Sequence, residues 1–262
     1  MGTYAVVKLG HDTKRKEEVA IKYYDRMKLS DPIKKRNFEA EVENLKLLDN
    51  ENIIKLYDVL EGRKQIALVM EYVGDKSLFD YLLAAEKGKI TEAETKTIFV
   101  RLFRALAYTH SNLIVHRDIK LQNVIIGDKG QVKLIDFGFS LKVPNKAHKL
   151  GVFCGTPSYM SPELVKRIPY DGFAADVWAL GVCLFRSVTG QFPFKGINES
   201  DLYNKIRAAT LVYPKSFSPE LKDLLTGLFK PNPDERLTAA QGLQHNFFHD
   251  VSIPEDSTLS VD

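Results

Sequence analysis

Apolar and polar positions alternate at the start of this chain, and only later do apolar residues recur every three or four. Gly2-Thr-Tyr-Ala-Val-Val and Glu18-Val-Ala-Ile-Lys22 are short apolar runs on either side of a charged turn around His11 to Glu17, which predicts two strands. Asp31-Pro32 then signals a helix start, and Phe38, Val42 and Leu45 follow at helical spacing up to Leu48. Asn52 to Leu60 and Lys64 to Val73 predict two further strands. Past Gly74 the composition turns from strand-forming to helix-forming, and Ser77 to Lys87 predicts one short helix. Thr91-Glu-Ala-Glu94 is a capping box ahead of Ile98, Leu102 and Leu106, predicting a helix that ends near Asn112. Val124-Ile-Ile126, the turn Asp128-Lys-Gly130 and the alternating Gln131 to Ile135 predict a hairpin. Phe137 to Ser161 is irregular and too long for a passive connection. A largely apolar helix follows with Asp176 in its first turn, and three more helices start at Asn198, Ser218-Pro219 and Thr238. The pattern is that of an α+β protein, strands first and helices after.

Composition narrows this little. At 262 residues, with 44% hydrophobic and 27% charged residues, the chain has enough apolar material for one large domain or two lobes. Its formal charge of +3 gives no global pull toward nucleic acid or an anionic membrane. The uncharged run Val177 to Phe185 is far shorter than the roughly 20 residues that span a bilayer. Two cysteines, Cys154 and Cys183, lie in no metal-like spacing, and an intracellular, cytoplasmic setting is expected.

The chemistry concentrates around the hairpin. Asp118, Lys120 and Asn123 precede its first strand, and Asp136-Phe137-Gly138 follows its second. Because hairpin strands are antiparallel, the entry to one and the exit from the other lie at the same end. Two carboxylates, an amide and a lysine therefore converge, a set suited to phosphoryl transfer: oxygen ligands for a divalent cation, a base for a hydroxyl, and a cation for the moving charge.

At His116-Arg117-Asp118 with Asn123, and again at Asp136-Phe137-Gly138, the sequence resembles the eukaryotic protein kinases. Lys120 resembles the serine/threonine branch, and the whole is most similar to the calcium/calmodulin-dependent group with its AMP-activated relatives. The resemblance implies a two-lobed α+β fold: a small N-terminal sheet lobe with one major helix over residues 1–73, a mainly helical lobe over 74–248, and a polar tail from 249 to 262. It implies ATP and Mg²⁺ as cofactors and Ser/Thr hydroxyls of proteins as substrates. Asp118, Lys120, Lys22, Glu41 and Thr156 would be the catalytic set. Lys22 would hold the phosphates and pair with Glu41, and Thr156 would bond Asp118 and Lys120. Asn123 and Asp136 would hold the metal. Gly2, Val7, Ala20, Met70, Glu71, Val73, Ser77 and Ile125 would form the nucleotide site, with Met70 as gatekeeper, the backbone of Glu71 to Val73 as hinge and Ser77 at the ribose. Glu163 should pair with Arg236, Asp176 should hold the backbone at His116-Arg117, and His116 should be packed under the loop.

Some positions depart from that family's pattern. The first glycine of the phosphate loop has no counterpart and Ala5 replaces the third, so nucleotide binding is expected to be weaker than in a complete member. Ser77, Gln122 and Arg186 stand where acids select arginine in a substrate, so little arginine selection is expected. Leu141 to Gly155 holds no Ser, Thr or Tyr to phosphorylate, and the loop from Phe137 to Pro162 holds no Asp or Glu, while Lys142, Lys146 and Lys149 add positive charge near Arg117. Either Val152 and Phe153 pack that loop in place or an acidic regulatory partner docks on its lysines. Two rival functions stay open: a catalytically weak nucleotide-binding scaffold, for which polar Cys183 and Ser187 also speak, and a small-molecule kinase.

Overall fold

The computed structural model describes residues 5–251; Gly2 and the tail beyond residue 251 lie outside them. Strands β1 (Ala5–Asp12), β2 (Glu17–Asp25), β3 (Leu56–Glu61) and β4 (Gln65–Glu71) form an antiparallel sheet in the order β1-β2-β4-β3. The run Ile66-Ala-Leu-Val-Met70 lies in a central strand covered on both faces, which is why it is continuously apolar rather than alternating. The first turn is tighter than the sequence suggests. His11, Asp12 and Glu17 belong to strands, and the Asp12 carboxylate accepts from the amides of Lys14 and Arg15 to close a turn of four residues.

Helix α1 (Pro32–Leu47) begins as expected, with the Asp31 carboxylate accepting from the amides of Ile33 and Lys34. Its buried face includes Phe38, Glu41, Asn44 and Leu45, so Glu41 does sit on the inward stripe. The expected strand from Asn52 is shorter than the pattern indicates. Residues 52 to 54 run beside the distant hairpin instead, with the Leu134 amide donating to Asn52 O at 2.8 Å and the Ile54 amide to Leu134 O at 3.0 Å. This crossing ties the sheet to the rest of the molecule.

Helix α2 (Leu78–Ala84) stops before Lys87, which adopts a left-handed conformation in a following 3₁₀ turn. Helix α3 (Glu92–Ser111) carries the Thr91/Glu94 capping box and buries Ile98, Leu102 and Leu106 together with Phe99 and Phe103. Short pairs follow: β5 (Ile114–Val115) with β8 (Leu141–Lys142), and β6 (Val124–Ile126) with β7 (Val132–Leu134). The second is the expected hairpin. The first joins residues far apart in sequence and had no local signal.

A four-residue helix α4 (Pro162–Val165) precedes α5 (Gly172–Thr189), the core helix, whose Val177, Trp178, Leu180, Val182 and Leu184 are all buried. By length and apolarity α5 could cross a bilayer, but its apolar residues are already covered within the fold. It starts earlier than expected, capped by the Asp171 carboxylate, so Asp176 lies in its second turn. Gly172 is needed there, because a Cβ would stand 2.9 Å from both Val115 Cγ1 and Leu150 Cδ1. Helices α6 (Glu199–Ala208), α7 (Pro219–Leu228) and α8 (Ala239–Leu243) complete the layer at the expected starts. Residues 249 to 251 remain attached, since Lys96 Nζ donates to both Asp250 oxygens at 2.8 Å.

Candidate active site

Strand period places Lys22 and Tyr24 on one face of β2, toward α1. Lys22 Nζ lies 2.7 Å from Glu41 Oε1 and 2.8 Å from Asp136 Oδ1, and the Tyr24 hydroxyl donates to Glu41 Oε2. Glu41 is 1% exposed and Lys22 13%, so neither charge would be tolerated alone. Burial by itself would lower the Lys22 pKa, but the carboxylates of Glu41 and Asp136 outweigh it and hold the ammonium well above its ordinary range. For Asp136, burial pushes upward and the Lys22 charge and hydrogen bond prevail, leaving the carboxyl below its ordinary value. Asp136 has φ of 60°. A Cβ at Gly138 would lie 3.2 Å from Asp136 Oδ1, so that carboxylate would have to give slightly, while 3.5 Å to Glu41 Oε2 is an ordinary contact. Tyr24 was not foreseen. Its signal was available in the two-residue spacing from Lys22, and burial beside Glu41 raises its pKa.

The loop between β5 and β6 supplies the other groups. Asp118 Oδ2 accepts from Lys120 Nζ at 2.6 Å and from Asn123 Nδ2 at 3.0 Å, while Asn123 also donates to Asp118 O at 2.8 Å. The Ile135 amide donates to Asn123 O at 2.9 Å, which brings the two ends of the hairpin together as antiparallel geometry requires. His116 is fully buried: its Nδ1 accepts from the Asp118 amide, its Nε2 meets Ile135 O at 3.0 Å, and its ring packs edge-on against Phe137. Asp176 accepts from the amides of His116 and Arg117 at 2.7 and 2.8 Å and faces His110 Nε2 at 3.1 Å. Arg117, at φ of 65°, donates through Nε to Phe139 O at 2.6 Å, linking this loop to the segment after Asp136.

Thr156 is a correction. It lines the same cavity as Asp118, yet among the described residues its hydroxyl makes no hydrogen bond to Asp118 or Lys120; Lys120 and Asn123 are the side chains that donate to Asp118, both at Oδ2. The loop before it is also held differently. Val152 is 61% exposed and packs nothing in place. Buried Leu150 exchanges both backbone hydrogen bonds with Tyr170, whose hydroxyl donates to Val152 O, and Phe153 leans on the Tyr170 ring.

Along the opening, Val7 pairs with Lys22 across β1 and β2, and Ala20 stands opposite the buried Met70. The Glu71 amide donates to Lys55 O, and its carboxylate receives Lys133 Nζ at 2.8 Å, a buried tether from β7 that the linear pattern did not reveal. Val73 precedes Gly74, which has φ of 153°. Ser77 pairs with Ile125 in an isolated bridge. Its hydroxyl donates to Asp80 Oδ2 at 2.5 Å and accepts from the Asp80 amide, so it is engaged in capping α2 rather than free for a ribose. The metal expectation fits the donors present. Asn123 spends its amide hydrogens on Asp118 and keeps its Oδ1, and Asp136 keeps Oδ2, both hard oxygens of the kind that hold Mg²⁺ beside phosphate. No group of three His, Cys, Asp or Glu side chains suited to a metal occurs among the described residues, so a softer, all-protein site is not offered there.

A small sheet with one helix, set over a helical layer, with a shared ammonium and a hydrogen-bonded carboxylate between them, makes a two-lobed α+β fold. The chain belongs to the protein kinase domain family, whose model matches residues 1–248. It is similar to the probable serine/threonine-protein kinase MARK-A of Dictyostelium discoideum, 40% identical over 93% of this chain and 23% of that protein. CBL-interacting protein kinase 31 of Oryza sativa subsp. japonica is 36% identical over 94% of this chain and 55% of its own length. CBL-interacting serine/threonine-protein kinase 21 of Arabidopsis thaliana is 36% identical, with 92% and 57% covered. The chain thus spans less than two thirds of each of these relatives.

Proposed function

We propose that this chain is the catalytic domain of an ATP-dependent protein serine/threonine kinase. The observation that carries it is Lys22, held between Glu41 and Asp136 while Asp118 is held by Lys120 and Asn123. In this reading Lys22 binds the nucleotide phosphates, kept in place by Glu41. Asn123 and Asp136 hold Mg²⁺, which when bound neutralises phosphate charge. Asp118 orients the Ser or Thr hydroxyl and receives its proton, and Lys120 offsets charge on the transferring group. Met70 and the backbone of Glu71 to Val73 take the adenine, between Val7 and Ala20 above and Ile125 below. Cys183 and Ser187 are both buried, and Ser187 Oγ donates to Cys183 O within α5, so the serine hydroxyl is satisfied inside the helix. The test is transfer of labelled phosphate to generic protein substrates by wild type and Asp136→Asn prepared alike. Equal signals from the two would assign the activity to a contaminant and overturn the proposal.

Regulation follows from the loop's charges. Lys142, Lys146 and Lys149 have no acid between Phe137 and Pro162 to balance them, and Lys149 reaches only Asp171, at 3.9 Å. An acidic regulatory partner docking on these lysines is the reading that fits, and no phosphate on the loop is required. Phosphatase treatment should leave basal activity unchanged; loss of activity with phosphate mapped to residues 139 to 161 would contradict this.

A further inference from the structure

Arg186 stands in the last turn of α5 with its guanidinium carbon 4.1 Å from the centroid of the Phe192 ring and 5.1 Å from that of Phe79. It is half-buried, and no ion pair among the described residues includes it. Asp80, beside Phe79 on α2, is committed to the Ser77 amide and hydroxyl. A guanidinium lying on aromatic faces is fixed in place, yet keeps N–H edges for a planar carboxylate.

The position of this cation relative to the reacting groups can be traced through contacts. Asp118, Thr156 and Tyr159 line one cavity. The Tyr159 ring meets Phe192 edge-on at 5.4 Å, and Arg186 lies on Phe192. These two ring contacts put Arg186 within about 10 Å of Tyr159, about three residues of extended peptide from one wall of the cavity that Asp118 lines. The loop from Phe137 to Pro162 carries no acid.

We propose that Arg186 selects an acidic side chain in the protein substrate, within about three residues of the phosphoacceptor. This rests on the kinase reading above and adds its substrate class. The aromatic rings and the Tyr159 side chain position the arginine, and the substrate carboxylate supplies the anion that no ion pair among the described residues provides.

The experiment uses the purified chain with ATP and Mg²⁺ and a neutral serine peptide in which Glu, Gln or Arg is scanned through four positions on each side of the serine. Wild type should prefer Glu over Gln by about tenfold in kcat/KM at one or two positions, chiefly through KM, the size expected for a charge-assisted pair. Arg186→Glu should reverse that preference toward Arg at the same positions, Arg186→Gln should abolish it, and Arg186→Lys should keep part of it. Turnover of the all-neutral peptide reports that each variant is folded. A wild type indifferent to Glu, or an Arg186→Gln enzyme that keeps the preference, overturns the inference while leaving the kinase reading intact. No transfer by wild type to any peptide or generic protein overturns the kinase reading, and the inference with it.

Discussion

Two buried ion pairs in this molecule look alike on paper and differ in surroundings. Arg236 and Glu163 meet through two parallel contacts of 2.8 and 3.1 Å, with side chains 0% and 5% exposed. Two further arginine donors go to Lys230 O and Ala174 O, and its guanidinium lies over Trp178, so the pair is enclosed by protein. Lys22 and Glu41 are also nearly covered, but their third member, Asp136, is 39% exposed, and the cluster faces an open cleft. A closed pair shut off from solvent can only hold structure. An open one, with a cation shared by two carboxylates, can exchange a partner for a phosphate at little reorganisation cost.

The comparison is broken most directly by removing one member from each side. Arg236→Leu strands Glu163 without water or cation, and the expected loss is about 3–5 kcal/mol of folding stability, read from the urea midpoint. Lys22→Met should lower phosphate transfer by about 10²–10³-fold. Its midpoint should fall by less than that of Arg236→Leu, because Glu41 keeps the Tyr24 hydroxyl and the cleft admits water. Equal destabilisation by the two would erase the distinction between closed and open pairs.

Smaller changes sharpen it. Tyr24→Phe removes one donor from a buried carboxylate and should cost about 2 kcal/mol, with a rise in KM for ATP as Glu41 loses its fixed angle. An unchanged KM would limit Tyr24 to a packing role. The smallest effect is in acid. Asp136 has a folded-state pKa below its unfolded value, so its contribution is fully present above the unfolded value of about 4 and is lost as pH falls through the folded one. Stability of wild type minus that of Asp136→Asn, followed by urea titration, should therefore be flat near neutral pH and shrink only below about pH 4. Lys22 stays charged well past neutrality, so no activity loss between pH 7 and about 9 should trace to it.

Much of this molecule was determined by its linear order. Helix starts at Asp31, Thr91, Ser218 and Thr238 are local events, decided by a side chain that caps amides two or three residues on, and all four occur where the pattern places them. The pairing of Lys22 with Glu41 and the meeting of the Asp118–Asn123 loop with the segment at Asp136 were legible for a related reason: each residue involved is polar and at a fixed offset from an apolar strand or helix face. What depends on distant segments was not legible. Whether the Ser77 hydroxyl is free was settled by competition from Asp80, and whether Thr156 reaches Asp118 by how two distant loops meet around one cavity. The Lys133 tether to Glu71, the β5–β8 pairing and the crossing of residues 52 to 54 onto β7 join positions tens of residues apart, where no periodicity reaches. Even Val152 shows the limit, because an apolar residue predicts burial only on average, and it is the fold that decides whether any surface remains to cover it.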